Sequence, residues 1–129
     1  MAPGDTKTTD VLFTNIGSGT ATKLQLTPGT CTQNPAVGTG TPVNPANLCT
    51  NGDLNVNVKC YDGSTVGTGT AYMTYNGAPG AFTTAVSHTG SYATNGTIVC
   101  RFVVTMSATA SPLDGGVTVS QPLTWELDA

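Results

Sequence analysis

The stretch TIVCRFVVTM, residues 97–106, alternates without a break. Ile98, Cys100, Phe102, Val104 and Met106 fall on one face of a two-residue repeat, with Thr97, Val99, Arg101, Val103 and Thr105 on the other. That period belongs to a central β-strand and not to a helix. The segment DLNVNVKCY repeats the pattern: Leu54, Val56, Val58 and Cys60 point one way while Asn55, Asn57 and Lys59 point to water. Both strands set a cysteine in the apolar register, so a Cys60–Cys100 bridge can form inside the fold without turning a polar face inward. Two cysteine-bearing strands at the core leave few architectures other than a β-sheet protein.

The composition agrees. Only 9% of the 129 residues are charged and 38% are hydrophobic, and much of the remainder is Thr, Gly, Ser and Asn. This suits short strands joined by many turns and supplies only one Glu and four Lys and Arg for the polar faces of surface helices. The length is that of a single domain over residues 1–129, with enough chain to bury a core unaided by metal. Lys7, Lys23, Lys59 and Arg101 are the four fixed cations against seven acids, a net charge of -3 with no basic stripe for phosphates. Nucleic acid and an anionic membrane surface are therefore not expected partners.

Cys31, Cys49, Cys60 and Cys100 form no CxxC and have no histidine nearby, which disfavours zinc and thioredoxin-like redox chemistry. Disulfides, and hence a location outside the cytosol, follow. No apolar run approaches the roughly 18 residues needed to span a bilayer, and no signal peptide is present, so an export leader is expected to have been removed already.

Taken in order, APGD is a turn signal, and TKTTDVLFT follows as a strand with Thr9, Val11 and Phe13 on one face. NIGS then turns the chain into ATKLQLT, with Thr22, Leu24 and Leu26 together, and the two strands are expected to pair as a hairpin. From Pro28 to Gly52 the periodicity vanishes, and Pro28, Pro35, Pro42 and Pro45 make ladder pairing there implausible. Cys31 and Cys49 lie near the ends of this loop. A bridge between them removes about 3 kcal/mol of unfolded-state entropy, against about 4 kcal/mol for the wider 60–100 ring. Of three connectivities, 31–49 with 60–100 is the expected one.

Beyond Cys60, DGST turns the chain into VGTGTAYMTY, whose Gly67 and Gly69 suggest a bulge or an edge. AFTTAVSH is a weaker strand. At the C-terminal side Leu123, Trp125 and Leu127 alternate after Pro122, which implies an edge position or a kink. About seven strands at roughly ten-residue spacing define an antiparallel two-sheet sandwich, jelly-roll or Ig-like.

No constellation for catalysis stands out. His88 is the only histidine and reads as an exposed residue at a strand end; Ser87 beside it points to the opposite face, and no GxSxG elbow occurs. No metal ligand set and no cofactor are expected, and the chain reads as a non-enzyme. Asp53 with Asn51 or Asn55 lacks the spacing of an EF-hand. Tyr61, Tyr72, Tyr75 and Trp125 could form a sugar-stacking platform, although a core with aromatics at only 6% of residues needs most of them for packing. Asn95-Gly96-Thr97 is a glycosylation sequon at a turn.

The opening APGDTKTTDVLFTNIGSGTATKLQL resembles the "PGD, strand, TNxGS, strand" block of the TasA and camelysin family of exported extracellular proteins. The closing SATASPLDGGVTVSQPLTWEL is similar, more loosely, to the end of actinobacterial-type members, which the two cysteine pairs also fit. The resemblance implies a secreted or cell-surface subunit of a pilus-like filament or biofilm matrix fibre. Its partners would be identical copies, joined by donor-strand exchange. The expected contact residues are Thr9, Val11 and Phe13 in the first strand and Leu123, Trp125 and Leu127 in the last. Family members carry a strand before the PGD turn, so either a donor segment precedes this turn in the full protein or residues 1–10 are a shortened arm. The metalloprotease label of some camelysins does not carry over, because HExxH is absent and one histidine builds no zinc site. The alternative reading is a β-sandwich module that binds carbohydrate, such as an extracellular polysaccharide, or a cell surface.

Overall fold

In the computed structural model, which describes residues 1–44 and 46–129, the alternating stretch Thr97–Met106 lies inside a four-stranded sheet. The strands are β1 (Thr6–Thr14), β2 (Ala21–Pro28), β3 (Thr32–Asn34), β4 (Leu54–Asp62), β5 (Tyr72–Gly77), β6 (Val86–Tyr92), β7 (Thr97–Met106), β8 (Thr118–Ser120) and β9 (Leu123–Asp128). One antiparallel sheet has the order β1-β7-β4-β5 and the other β6-β2-β9, with β3 and β8 forming a small separate ribbon. The fold is thus an all-β, antiparallel two-sheet sandwich with two disulfides. Two short 3-10 turns, Pro79–Ala81 and Pro112–Gly116, are the only helical elements among the described residues.

β4 pairs with β7 along its full length, and Cys60 faces Cys100 directly in the register. The Cys60–Cys100 disulfide joins these two neighbours at a Cα separation of 4.0 Å, and both residues are fully buried. Around them pack Leu24 and Leu26 of β2, Val58 of β4, Ile98 of β7 and Phe82, the main core shared by both sheets. Burial of such side chains stabilises a fold by about 1.5–3 kcal/mol each. A second, smaller cluster of Leu48, Leu54, Met106 and Ala110 lies under the long loop. The Cys31–Cys49 bridge closes that loop.

Three sequence expectations need correction. The block from Val11 to Leu26 is not a hairpin: β1 pairs with β7, whereas β2 pairs with β6 and β9, so the turn carries the chain from one sheet to the other. The cause is Asn15. Its buried amide Nδ2 donates to the carbonyls of Tyr92 (2.8 Å) and Gly19 (2.9 Å), while its own backbone exchanges hydrogen bonds with Gly96 and Asn95. The first turn is thereby tied to the β6–β7 turn and not to a partner strand of its own. Second, Ala21 and not Thr22 is buried beside Leu24 and Leu26, next to a register shift in the β2–β6 ladder between Ala21 and Lys23. Third, residues 32–34 do form a strand, β3, against β8. Pro45, one of the four prolines expected to prevent pairing in this loop, lies outside the described residues.

β4 and β5 pair as a hairpin and β5 is an edge strand, as expected, but the strand expected from Val66 starts only at Tyr72: Gly67 and Gly69 lie in the connecting loop, and the irregularity of the ladder falls at Met73, whose φ is 51°. Pro122 does mark a kink. β2 and β3 run alongside β9 and β8 as one bent ribbon whose register changes from Pro28↔Leu123 to Thr32↔Ser120. At the bend the Gly29 amide donates to the Pro122 carbonyl at 2.7 Å, and a Cβ on Gly29 would lie 2.6 Å from the proline ring. Only glycine fits there.

Candidate functional site

The sheets end side by side in strands that each have one partner. Among the described residues β1 borders the larger sheet and pairs with β7 alone, while β9 borders the smaller and pairs with β2 alone. Between them the Phe13 and Trp125 rings lie 3.9 Å apart, and Phe102 meets Trp125 edge-on at 5.7 Å. Of the six residues expected at an assembly interface, Phe13, Leu123, Trp125 and Leu127 are partly buried against the main core. Val11 is half-buried and Thr9 is exposed. The structure therefore brings the six to one rim, where most of the side chains hold the two sheets together. What the rim presents outward is unpaired strand backbone, the group that accepts another strand.

An apolar cleft of about 440 Å³ lies between the sheets at the same end as residue 7. Val56 of β4, Phe102 and Val104 of β7, and Val117 and Val119 around β8 line it, together with Leu123 of β9. Lys7 is the one charged residue in its wall. Sequence alternation identifies the β4 and β7 residues as inward-facing but gives no sign that the bent ribbon leaves part of that face open.

The opposite rim carries a polar aromatic cluster. Tyr72 donates its hydroxyl to Asp62 Oδ1 at 2.7 Å, and the Tyr92 hydroxyl donates to that of Tyr72 at 3.5 Å. His88 stacks on Tyr72, with ring centroids 3.7 Å apart and planes inclined by 15°. His88 is thus a half-buried residue in the middle of β6, not the exposed strand-end residue expected. The AFTTAVSH segment had placed the strand too early, and the true β6 starts only at Val86. Burial pushes the Tyr72 phenol well above its ordinary range, reinforced by its bonds to Tyr92 and Asp62. Burial raises Tyr75 and Tyr92 in the same direction.

The tyrosines and Trp125 do not converge on one sugar platform. Tyr72 is stacked on His88, Tyr75 lies 4.3 Å from Phe82, and Trp125 packs at the β1/β9 rim. Tyr61 alone faces outward, from β4. The carboxylate of Asp53 accepts from the Asn51 amide at 2.9 Å, and Asn55 bonds Asn76 instead. Among the described residues, no three of His, Cys, Asp and Glu gather where a metal ion could bind. Asp114 was missed as a special residue: it is fully buried, its Oδ1 accepts from Asn44 at 3.3 Å, and its Oδ2 has no partner among the described residues.

The two disulfides fit an oxidising environment, and among the described residues no helix is long and apolar enough to cross a membrane. Comparison with known proteins returned no matching family model, no matching curated protein and no matching solved structure.

Proposed function

We propose that this protein is a secreted structural subunit that joins identical copies by strand addition into an extracellular filament or matrix fibre. One observation carries the reading. β1 and β9, each with a free backbone edge, end the two sheets side by side, and both contribute to the wall of an apolar cleft through Lys7 and Leu123. An extended segment laid along such an edge gains main-chain hydrogen bonds, and alternate side chains find apolar pockets. The buried disulfide gives a subunit of this kind a rigid body, and the resemblance of the opening block to the TasA and camelysin family supports the same role. A catalytic reading has no comparable support, because His88 is engaged with Tyr72.

Sedimentation across a concentration series tests the proposal, using Thr9→Lys and Thr124→Lys as edge-blocking variants at exposed positions of β1 and β9. Lysine on an edge opposes strand pairing between copies. The wild-type chain is expected to form larger species as concentration rises and the double variant to remain a monomer with unchanged thermal stability. Monomeric wild-type protein throughout, or identical assembly by the variant, would contradict it.

A further inference from the structure

The outer face of the larger sheet holds a charge arrangement that the packing does not require. Lys59 of β4 and Arg101 of β7 are direct cross-strand partners, and Arg101 is also the direct partner of Asp10 on β1. Like charges set opposite each other on a sheet oppose its formation. Yet this chain, with only four fixed cations, places two of them face to face on its two central strands. Asp10 compensates one. Its carboxylate takes both Arg101 Nε (2.7 Å) and Nη2 (2.9 Å), while Lys59 is exposed and has no carboxylate within ion-pair distance among the described residues.

The neighbouring rows give this centre a shape. Two residues along each strand lie Leu12, Val99 and Tyr61 in register across β1, β7 and β4. Leu12 is 52% exposed, and Tyr61 is half-buried without being used in the core. On the other side, Asn55 and Asn57 of β4 both donate to Asn76 Oδ1, at 2.8 and 3.4 Å, an exposed strip of amides. An aromatic ring, a free ammonium beside a guanidinium, and side-chain amides thus follow one another along a single strand face.

We propose that this face binds an acidic polysaccharide, one whose sugars carry carboxylates. Lys59 and the remaining Arg101 donors take the carboxylate, Tyr61 packs against a pyranose face, and the amides of Asn55 and Asn57 meet the hydroxyls of the next unit. The overall charge of -3 selects against polyanions held only by long-range attraction, nucleic acid among them, so the ligand must be engaged by local contacts. The contacts use the outer face of the larger sheet and not the backbone edges of β1 and β9, so the site stands independently of assembly.

The test is binding of the intact protein, held monomeric at low concentration, to polygalacturonate oligomers by calorimetry, with neutral glucan oligomers and inorganic polyphosphate as comparators. Lys59→Gln is expected to weaken polygalacturonate binding about tenfold, the effect of losing one charged hydrogen bond. Tyr61→Ala is expected to weaken it as well, and Lys23→Gln on the other sheet to leave it unchanged. No binding of polygalacturonate, equal binding of neutral glucan, or indifference to Lys59→Gln would overturn the proposal. So would polyphosphate binding as tightly as polygalacturonate with no effect of Tyr61→Ala. Thermal unfolding of each variant separates loss of binding from loss of fold.

Discussion

Asn15 shows how one side chain decides a chain's route. Its amide closes its own turn onto Gly19 and reaches the β6 end at Tyr92, so the β1–β2 and β6–β7 turns are held together by a group that is 7% exposed. Replacing it with alanine leaves buried carbonyls without donors, at a cost of about 1–3 kcal/mol. Asn15→Ala should therefore lower the denaturant midpoint with the m-value unchanged. The tyrosines give a second residue-level prediction. Because the fold holds the Tyr72, Tyr75 and Tyr92 phenols above their usual value of about 10, it favours their neutral forms. Their contribution to stability is complete below that pH and is lost as the pH rises past it, since the unfolded chain ionises first. Alkaline titration followed by tyrosinate absorbance should show these phenols ionising together with unfolding. Asp114 illustrates a residue whose role the sequence concealed: Ser111-Pro112-Leu113-Asp114 has the spacing of a helix-capping box. Instead, the Ser111 side chain accepts from Leu113 while the carboxyl turns inward to Asn44.

At the scale of elements, β4 and β7 were readable because a strand with one buried face must alternate, and a cysteine in that alternation must face the core. The kink at Pro122 was readable for a similar reason, since proline cannot continue a ladder. The supposed β1–β2 hairpin failed because turn residues announce a reversal without saying which strand receives the returning chain. β3 was hidden because three residues between prolines show no period. The rim and cleft followed only in part. The alternating residues of β1 and β9 were evident, but that these strands terminate opposite sheets depends on crossings no local pattern records. The disulfides offer a test of this hierarchy. Converting Cys60 and Cys100 together to alanine should cost about 4 kcal/mol in loop entropy plus lost packing, and converting Cys31 and Cys49 about 3 kcal/mol. Differential scanning calorimetry should find the first change the larger, since it removes the link between the two central strands.

At the scale of the whole molecule, the proposed assembly needs a rigid sandwich that remains receptive at its margins. Its core and both bridges hold the body, while β1 and β9 keep one backbone edge each beside an apolar cleft. A soluble monomer usually protects such edges with charge or cover; here Lys7 and Asp10 are the only charged residues on β1. The outer face with Lys59, Arg101 and Tyr61 would then let an assembled fibre hold acidic polysaccharide without using the same edges. Electron microscopy of the concentrated native protein tests the central claim most directly. Thin fibres of uniform width, absent from the Thr9→Lys/Thr124→Lys variant, are the predicted result; dispersed single particles of monomer size at every concentration would contradict it.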